Sequence, residues 1–98
     1  MTTKRTLQLN LERKHFDRVA LGTKTKEYRK QAAYWATRLE GRDYDTVIFR
    51  NGYGPKVPEI EVEFKGVRKT TREGEPVYAI KLGKILSLKR WIKPTEQS

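Results

Sequence analysis

Alternation of apolar and polar residues predicts several strands along the chain. Leu7, Leu9 and Leu11 are separated by polar residues, which is typical of a strand with one buried face. A strand is also predicted for residues 24 to 29, which are rich in threonine, tyrosine and charged side chains. Further strands are predicted at Val47 to Phe49, at Ile60 to Phe64 and at Val77 to Leu82, with residues 85 to 88 extending or following the last of these.

Two helices are predicted between the early strands. Phe16, Val19 and Ala20 recur at helical spacing, and Gly22 follows them at a position where helices commonly end. A second apolar stripe, followed by Gly41, consists of Ala32, Trp35, Ala36 and Leu39. Five or six short strands with two flanking helices favour an α+β fold in which the sheet closes into a small β-barrel.

The composition narrows the class of protein. A chain of 98 residues forms one domain, with a short basic tail from about residue 87 that is expected to fray from Lys93 to Ser98. The absence of cysteine excludes disulfides, and a single histidine argues against a structural zinc site, so no metal or other cofactor is predicted. No apolar run reaches the roughly 20 residues of a membrane span. We therefore expect a soluble, cytoplasmic monomer that does not associate with membranes.

Positive charge is concentrated at the two ends of the chain. The formal net charge is +10, and residues 1 to 42 carry 11 basic against 4 acidic side chains. Such a field attracts polyanions, so nucleic acid is the leading class of partner, although surface lysines can also serve solubility alone. Between the basic ends, Glu59, Glu61 and Glu63 alternate with apolar residues and are expected to face water, away from a bound polyanion.

The segment Gly22 to Arg29 is the strongest candidate for a binding site. Lys24 and Arg29 can bind phosphate, and Glu27 can orient either cation or accept a hydrogen bond from a nucleobase. A strand through the whole segment would separate Lys24 from Glu27, whereas a turn before Thr25 would let the three charged groups converge. The alternative is that Glu27 and Arg29 form a purely structural ion pair.

Aromatic residues near basic ones extend this candidate site. Tyr53 is the best candidate for stacking on a base, and Arg50 and Asn51 are expected to form with it the wall opposite the Gly22–Arg29 segment. The predicted ligand-binding set comprises Gly22, Lys24, Lys26, Glu27, Tyr28, Arg29, Arg50, Asn51 and Tyr53. Three other residues are assigned to roles outside it: Trp35 to the core, His15 to the surface, and Trp91 either to a basic tail contact or to a tail folded back over a sheet edge.

Several segments in order along the chain resemble the ASCH domain family. The motif Gly-x-Lys-x-x-Glu-x-Arg at residues 22 to 29 follows a helix, as it does in that family. The later segments that carry the resemblance are Tyr34-Trp35, Arg38-Leu39, Phe49 to Gly54, Val62 to Gly66 and Ile80 to Ile85, so it covers roughly residues 6 to 86 and is similar to small, often phage-encoded members. The resemblance implies a PUA-like β-barrel that binds RNA or a nucleotide-like ligand.

The same resemblance implies two enzymatic alternatives. Some family members are ribonucleases aided by a divalent metal ion, and Lys24, Glu27 and Arg29 match their motif and would form the catalytic set. Others are amidohydrolases acting on acetylated cytidine through a lysine, a threonine and a glutamate. Lys24 matches that lysine, but Glu27 stands where the threonine nucleophile would be, which disfavours this chemistry. A further alternative is a phage-type protein whose basic face binds an acidic host protein.

Overall fold

A computed structural model describes residues 4 to 94 of the chain. Its elements, in chain order, are β1 (Thr6–Asn10), α1 (Arg13–Ala20), β2 (Lys26–Lys30), α2 (Ala33–Leu39), β3 (Thr46–Arg50), β4 (Glu59–Arg72) and β5 (Glu75–Lys89). The five strands form one mixed sheet in the order β1-β3-β4-β5-β2, in which β1 and β3 are parallel and the other neighbours are antiparallel. The predicted α+β class, with two helices, is confirmed.

The predicted closure of the sheet into a barrel is not confirmed. β1 and β2 are the two edges of the sheet, and no ladder of backbone hydrogen bonds joins them in the described residues. They are linked instead by one side chain, because Nη2 of Arg29 on β2 donates to the carbonyl of Asn10 on β1 at 3.1 Å. The sheet is therefore curled and open at this edge.

The core lies against the inward side of the sheet and is closed by both helices. Phe16 and Val19 on α1 and Leu39 on α2 are buried, as their helical spacing predicts. From the sheet the core receives Leu7, Leu9, Val47, Phe49, Ile60, Val62, Tyr78, Ile80 and Leu82, with Leu11 following β1. Strand alternation therefore determines which residues are buried in β1, β3 and the first half of β4.

β4 is much longer than the pattern of apolar residues predicted, because it continues past Phe64 to Arg72. β5 runs to Lys89, so residues 85 to 88 extend the last strand, as one of the two alternatives predicted, and the tail begins after the predicted position near 87. The extension of β4 was missed because residues 65 to 72 are mostly polar. Irregular pairing between Phe64 and Val67, with Gly66 at φ 119°, bends β4 and lets it continue.

The row of glutamates does not simply face water. Glu61 is largely buried beneath Thr46, whose hydroxyl donates to Oε2 at 2.7 Å, and beside Lys4, whose Nζ lies 2.9 Å from the same oxygen. These contacts lower the pKa of Glu61, with the Thr46 hydrogen bond as the largest cause. Glu59 and Glu63 also have cationic partners, so the row stabilises the sheet.

The C-terminal segment folds back onto the domain, as one of the two alternatives for Trp91 predicted, and it lies against α1. The ring of Trp91 packs against the core, and its Nε1 donates to Oδ1 of Asp17 on α1 at 2.8 Å. Arg13 donates to the carbonyl of Ile92 at 3.0 Å. The frayed end predicted from Lys93 to Ser98 lies mostly outside the described residues.

Candidate functional site

Gly22 ends the first helix. It lines neither of the two surface depressions of the candidate site, one beside Arg29 and one beside Lys24. The amide of Thr23 donates to the carbonyl of Arg18 at 3.0 Å and the amide of Gly22 donates to that of Val19 at 3.0 Å. These two bonds form a Schellman motif, which requires a positive φ at Gly22, here 81°. The helix end therefore accounts for the glycine at this position.

The three charged residues of the motif converge on Glu27. β2 begins at Lys26, two residues later than predicted, and Lys24 lies in the loop before it. Nζ of Lys24 is 3.2 Å from Oε1 of Glu27, and Nη2 of Arg29 is 2.7 Å from Oε2. The chain thus turns before Thr25, as one of the two predicted alternatives required.

Arg29 has several structural contacts besides Glu27. Its Nη2 also donates to Asn10, and its guanidinium lies 4.9 Å from the centre of the Trp35 ring. Trp35 packs partly against the core, as predicted, but its ring also lines a surface depression. Arg29 therefore connects the motif, the open edge of the sheet and α2.

That depression, which we term the aromatic cleft, has a volume of about 350 Å³. It is lined by Gln8, Leu9, Asn10, Arg29, Tyr34, Trp35, Arg50, Gly52 and Tyr53. Tyr53 is 87% exposed and Tyr34 is 57% exposed, and the guanidinium of Arg38 lies over the Tyr34 ring at 3.5 Å, so Tyr53 is the more accessible ring. The cleft thus brings together three predicted residues, Arg29, Arg50 and Tyr53, from two separate segments of the chain.

Both arginines of the aromatic cleft carry an unsatisfied polar atom. Among the described residues, the buried side-chain nitrogens without a hydrogen-bond partner are Nε of Arg29 and Nε of Arg50. Nε of Arg50 lies 3.3 Å from Oε2 of Glu59, which is close enough for charge attraction but not aligned for a hydrogen bond. An unsatisfied buried donor costs about 1 to 3 kcal/mol, and neither nitrogen is accessible from the cleft, so any contact with a ligand would use the terminal nitrogens of the two guanidinium groups.

Asn51 has a structural role and does not line the aromatic cleft. Its side-chain Nδ2 donates to the carbonyl of Leu11 at 2.9 Å, and its amide donates to that of Pro58 at 3.1 Å. Asn10 lines the cleft in its place and donates to the carbonyl of Gly52 at 2.7 Å. These contacts fix the loop that presents Tyr53.

The remaining motif residues lie around other depressions. Lys24, Glu27 and Tyr28 line a small one of about 160 Å³ together with His15 and Arg72. Lys26 lies apart from them, in a depression whose other basic residues are Lys65, Arg68 and Lys81. The predicted single cleft is therefore two adjoining depressions, which meet at the Glu27–Arg29 ion pair, and a separate basic one.

Several residues that sequence reasoning did not assign to the site line these depressions. Gln8, Asn10 and Tyr34 belong to the aromatic cleft, and His15 contributes to the small depression. Tyr34 carried a usable signal, because it falls outside the apolar stripe of its helix and an aromatic residue there must be exposed. The positions of Gln8 and Asn10 depend on the curl of the sheet and could not be predicted locally.

A cavity larger than the aromatic cleft lies elsewhere in the described chain, between α2 and the bend of β4. Its volume is about 550 Å³, and its polar lining includes Glu40, Lys69 and Tyr78. The hydroxyl of Tyr78 donates to Oε2 of Glu40, and Nζ of Lys69 lies 3.0 Å from the same oxygen. The Tyr78 hydrogen bond is the largest cause of the lowered pKa of Glu40, and it raises the pKa of Tyr78 to about 12.

The motif does not fit a divalent metal ion. Within residues 4 to 94, no three histidine or acidic side chains are grouped so that they could hold an ion. Glu27 is the sole carboxylate lining the small depression, and both of its oxygens are paired with cations. A metal-aided reaction there would require a carboxylate to exchange its cationic partners for the ion.

Comparison with known proteins does not identify a family. No protein-family model matches the chain, and neither a curated protein nor a solved structure is significantly similar to it. Neither helix in the described part of the chain is long and apolar enough to cross a membrane.

Proposed function

We propose that this protein binds single-stranded RNA, or a nucleotide-like ligand, in the aromatic cleft. The observation that carries the proposal is that two arginines and two exposed tyrosines line one depression. Arginine binds phosphate through its planar fork of donors, and an exposed tyrosine offers a face for stacking on a base. A volume of about 350 Å³ lies within the range of small-molecule sites, roughly 300 to 1,000 Å³.

A nucleotide suits this lining better than a simple anion does. A phosphate alone would use the guanidinium groups of Arg29 and Arg50 but not the exposed ring of Tyr53. An apolar ligand would use the rings but not the charge of the two arginines. Only a ligand that combines negative charge with a flat aromatic group uses both, and nucleotides have that chemistry.

The resemblance to the ASCH family supports the same proposal independently. The family motif is present at residues 22 to 29, and the curled five-stranded sheet with two helices is compatible with an open form of a PUA-like barrel. We propose that the chain is a member of that family in which the motif positions Arg29 at the aromatic cleft.

Tyr53→Ala provides the most direct test because Tyr53 is almost fully exposed. We expect a labelled single-stranded RNA to bind the variant with an affinity lower by about 1 to 3 kcal/mol, the usual loss for one stacked base. Fluorescence anisotropy measures the affinity, and thermal unfolding establishes that the variant is folded. Tyr53→Phe keeps the ring and should bind like the original protein.

A control at an exposed residue outside the cleft separates stacking from a general loss of apolar surface. Ile92 is 79% exposed, and Ile92→Ala should leave RNA affinity unchanged. Equal affinities for Tyr53→Ala and the original protein would contradict the proposal. If neither the original protein nor any variant binds RNA, an acidic protein partner becomes the better explanation of the basic surface.

The same binding reactions, run on a denaturing gel, test the ribonuclease alternative. His15 lines the depression that contains Lys24 and Glu27, so a group able to transfer protons is present beside the motif. Cleavage that is lost in His15→Ala while RNA binding persists would assign catalysis to this depression. Intact RNA in every reaction would favour a binding protein.

A further inference from the structure

The outward face of strands β2, β5 and β4 is covered by basic side chains. Because side chains alternate along a strand, Lys26, Tyr28 and Lys30 of β2 point outward when Glu27 and Arg29 point inward. The strand register places Ala79 beside Tyr28, and Arg68 beside Ala79 on the next strand. We term this surface the basic face, and its cationic members are Lys26, Lys30, Arg68, Arg72 and Lys81.

Within residues 4 to 94, the five cations of the basic face take part in no ion pair. None of them forms an ion pair with a carboxylate of the described chain, whereas Lys24, Arg29 and Arg50 of the candidate site all do. The one acidic side chain in register with this face is Glu75, opposite Arg72 at the hairpin end. The positive potential here is consequently less neutralised than at the motif.

Two lysines face each other directly across the basic face. Lys26 on β2 and Lys81 on β5 are opposite one another in the antiparallel register. Like charges at opposed positions destabilise a sheet, and a bound anion between them would remove the repulsion. The arrangement therefore favours an occupant that carries negative charge.

The basic face also has a concave region of suitable chemistry for phosphate. A depression of about 370 Å³ is lined by Lys26, Lys81 and Arg68, with the small side chain of Ala79 between them. Lys65 contributes a fourth cation, although its Nζ lies 3.5 Å from Oε1 of Glu63. No carboxylate lines this depression.

We propose that the basic face binds the phosphate backbone of nucleic acid as a second contact surface, separate from the aromatic cleft. The proposal takes the class of partner from the proposed function but does not depend on the cleft. The aromatic ring of this face, Tyr28, already lies against the guanidinium of Arg72 at 4.3 Å. Several separated cations suit a repeated phosphate, which is contacted without regard to base sequence. A single strand of RNA that occupies both surfaces would cross the β2 edge of the sheet.

The test compares two variants with the same change of net charge. Lys26→Gln/Arg68→Gln/Lys81→Gln removes three cations of the basic face, and Lys14→Gln/Lys84→Gln/Lys89→Gln removes three exposed lysines elsewhere. Binding of labelled oligouridine of about 16 nucleotides, the upper end of common site sizes, is measured over a series of salt concentrations. Circular dichroism confirms that each variant is folded.

The salt dependence should separate the two variants. Each phosphate contact to a single strand contributes about 0.7 to the slope of log affinity against log salt, so losing three lowers the slope by about 2. We expect this decrease, with affinity about tenfold weaker at moderate salt, only in the basic-face variant. Equal slopes in the two triple variants would overturn the proposal.

Two further experiments distinguish phosphate binding at the basic face from recognition of charge alone and from binding at the aromatic cleft. Poly-glutamate with the same total charge should compete poorly with oligouridine for the protein. Competition as strong as that of unlabelled oligouridine would show that the face recognises charge alone, which overturns the phosphate assignment. Tyr53→Ala tested in parallel reports on the aromatic cleft. A lower salt slope in the basic-face variant, with unchanged RNA affinity in Tyr53→Ala, would support binding at the basic face and contradict binding at the aromatic cleft. An unchanged slope in the basic-face variant, with weaker RNA binding by Tyr53→Ala, would support the cleft and contradict the basic face.

Discussion

At the scale of single residues, Glu27 shows why the motif cannot be assigned to binding or to structure alone. Its carboxylate is buried and paired with both Lys24 and Arg29. Removing one partner of a buried pair leaves an uncompensated charge, so substitutions in this trio affect folding as well as any ligand. Variants at exposed Tyr53 are therefore more informative about binding than variants at Lys24 or Arg29.

The Tyr78–Glu40 pair predicts a change at alkaline pH. The pKa of Tyr78 is raised to about 12 from an ordinary value of 10.0, chiefly by the hydrogen bond to Glu40. The neutral amide in Glu40→Gln accepts a weaker bond, so we expect the pKa of Tyr78 to fall toward its ordinary value. Near-ultraviolet phenolate absorbance measures the shift, with Tyr78→Phe identifying the Tyr78 step.

The sign of the effect on stability follows from the raised pKa. The contribution of the Tyr78–Glu40 pair to the free energy of unfolding is fully present below the ordinary pKa of tyrosine. This contribution is lost as the pH rises through about 12. Glu63→Gln is the matched control, since Glu63 does not contact Tyr78. If the pKa of Tyr78 in Glu40→Gln equals that in the original protein, the hydrogen bond does not hold the phenol protonated.

At the scale of elements, the turn between β4 and β5 has a strained backbone conformation, which can be tested by substitution. Glu73 and Gly74 form its two-residue turn with φ of 52° and 79°. Two positive φ values are typical of a type I′ turn, which asparagine tolerates better than glutamate at the first position. We expect Glu73→Asn to raise the free energy of unfolding by about 0.5 to 1 kcal/mol, measured by urea denaturation.

Gly74→Ala is the companion variant for this turn. A Cβ at Gly74 would meet no neighbouring atom, so any cost comes from the backbone conformation alone. We expect a loss of about 1 kcal/mol. A Glu73→Asn protein less stable than the original would contradict the assignment of strain to this turn.

The elements also show how far sequence reasoning reached. The helices and the inward faces of the strands were predicted because burial follows a local period, as at Phe16 and Ile60. The extension of β4 beyond Phe64 was not, because it is held by pairing with β5 and its residues are mostly polar. Strand alternation alone places Lys26 on the face opposite Glu27 and Arg29, although the predicted ligand-binding set included it.

At the scale of the whole molecule, the excess of positive charge should limit stability at low salt. A net charge of +10 on a chain of 98 residues favours expansion through self-repulsion. Raising the ionic strength from about 0.01 M to about 0.15 M shortens the screening length from about 30 Å to about 8 Å. We expect the midpoint of thermal unfolding to rise over this range.

The triple variant of the basic face provides the control for this prediction. Its net charge is lower by three and its opposed lysines are gone, so its midpoint should rise less with salt than that of the original protein. Circular dichroism melts at matched protein concentration measure both. A midpoint that falls with added salt would show that the ion pairs outweigh the repulsion.

The pairing of β2 with β5 has a consequence for synthesis on the ribosome. Lys26 and its partner Lys81 are 55 positions apart, so β2 leaves the ribosome several seconds before β5 at usual elongation rates of about 5 to 20 residues per second. Until then, the strand that carries Glu27 and Arg29 has no neighbour in the sheet. A nascent chain therefore cannot present a finished ligand site until β5 has left the ribosome.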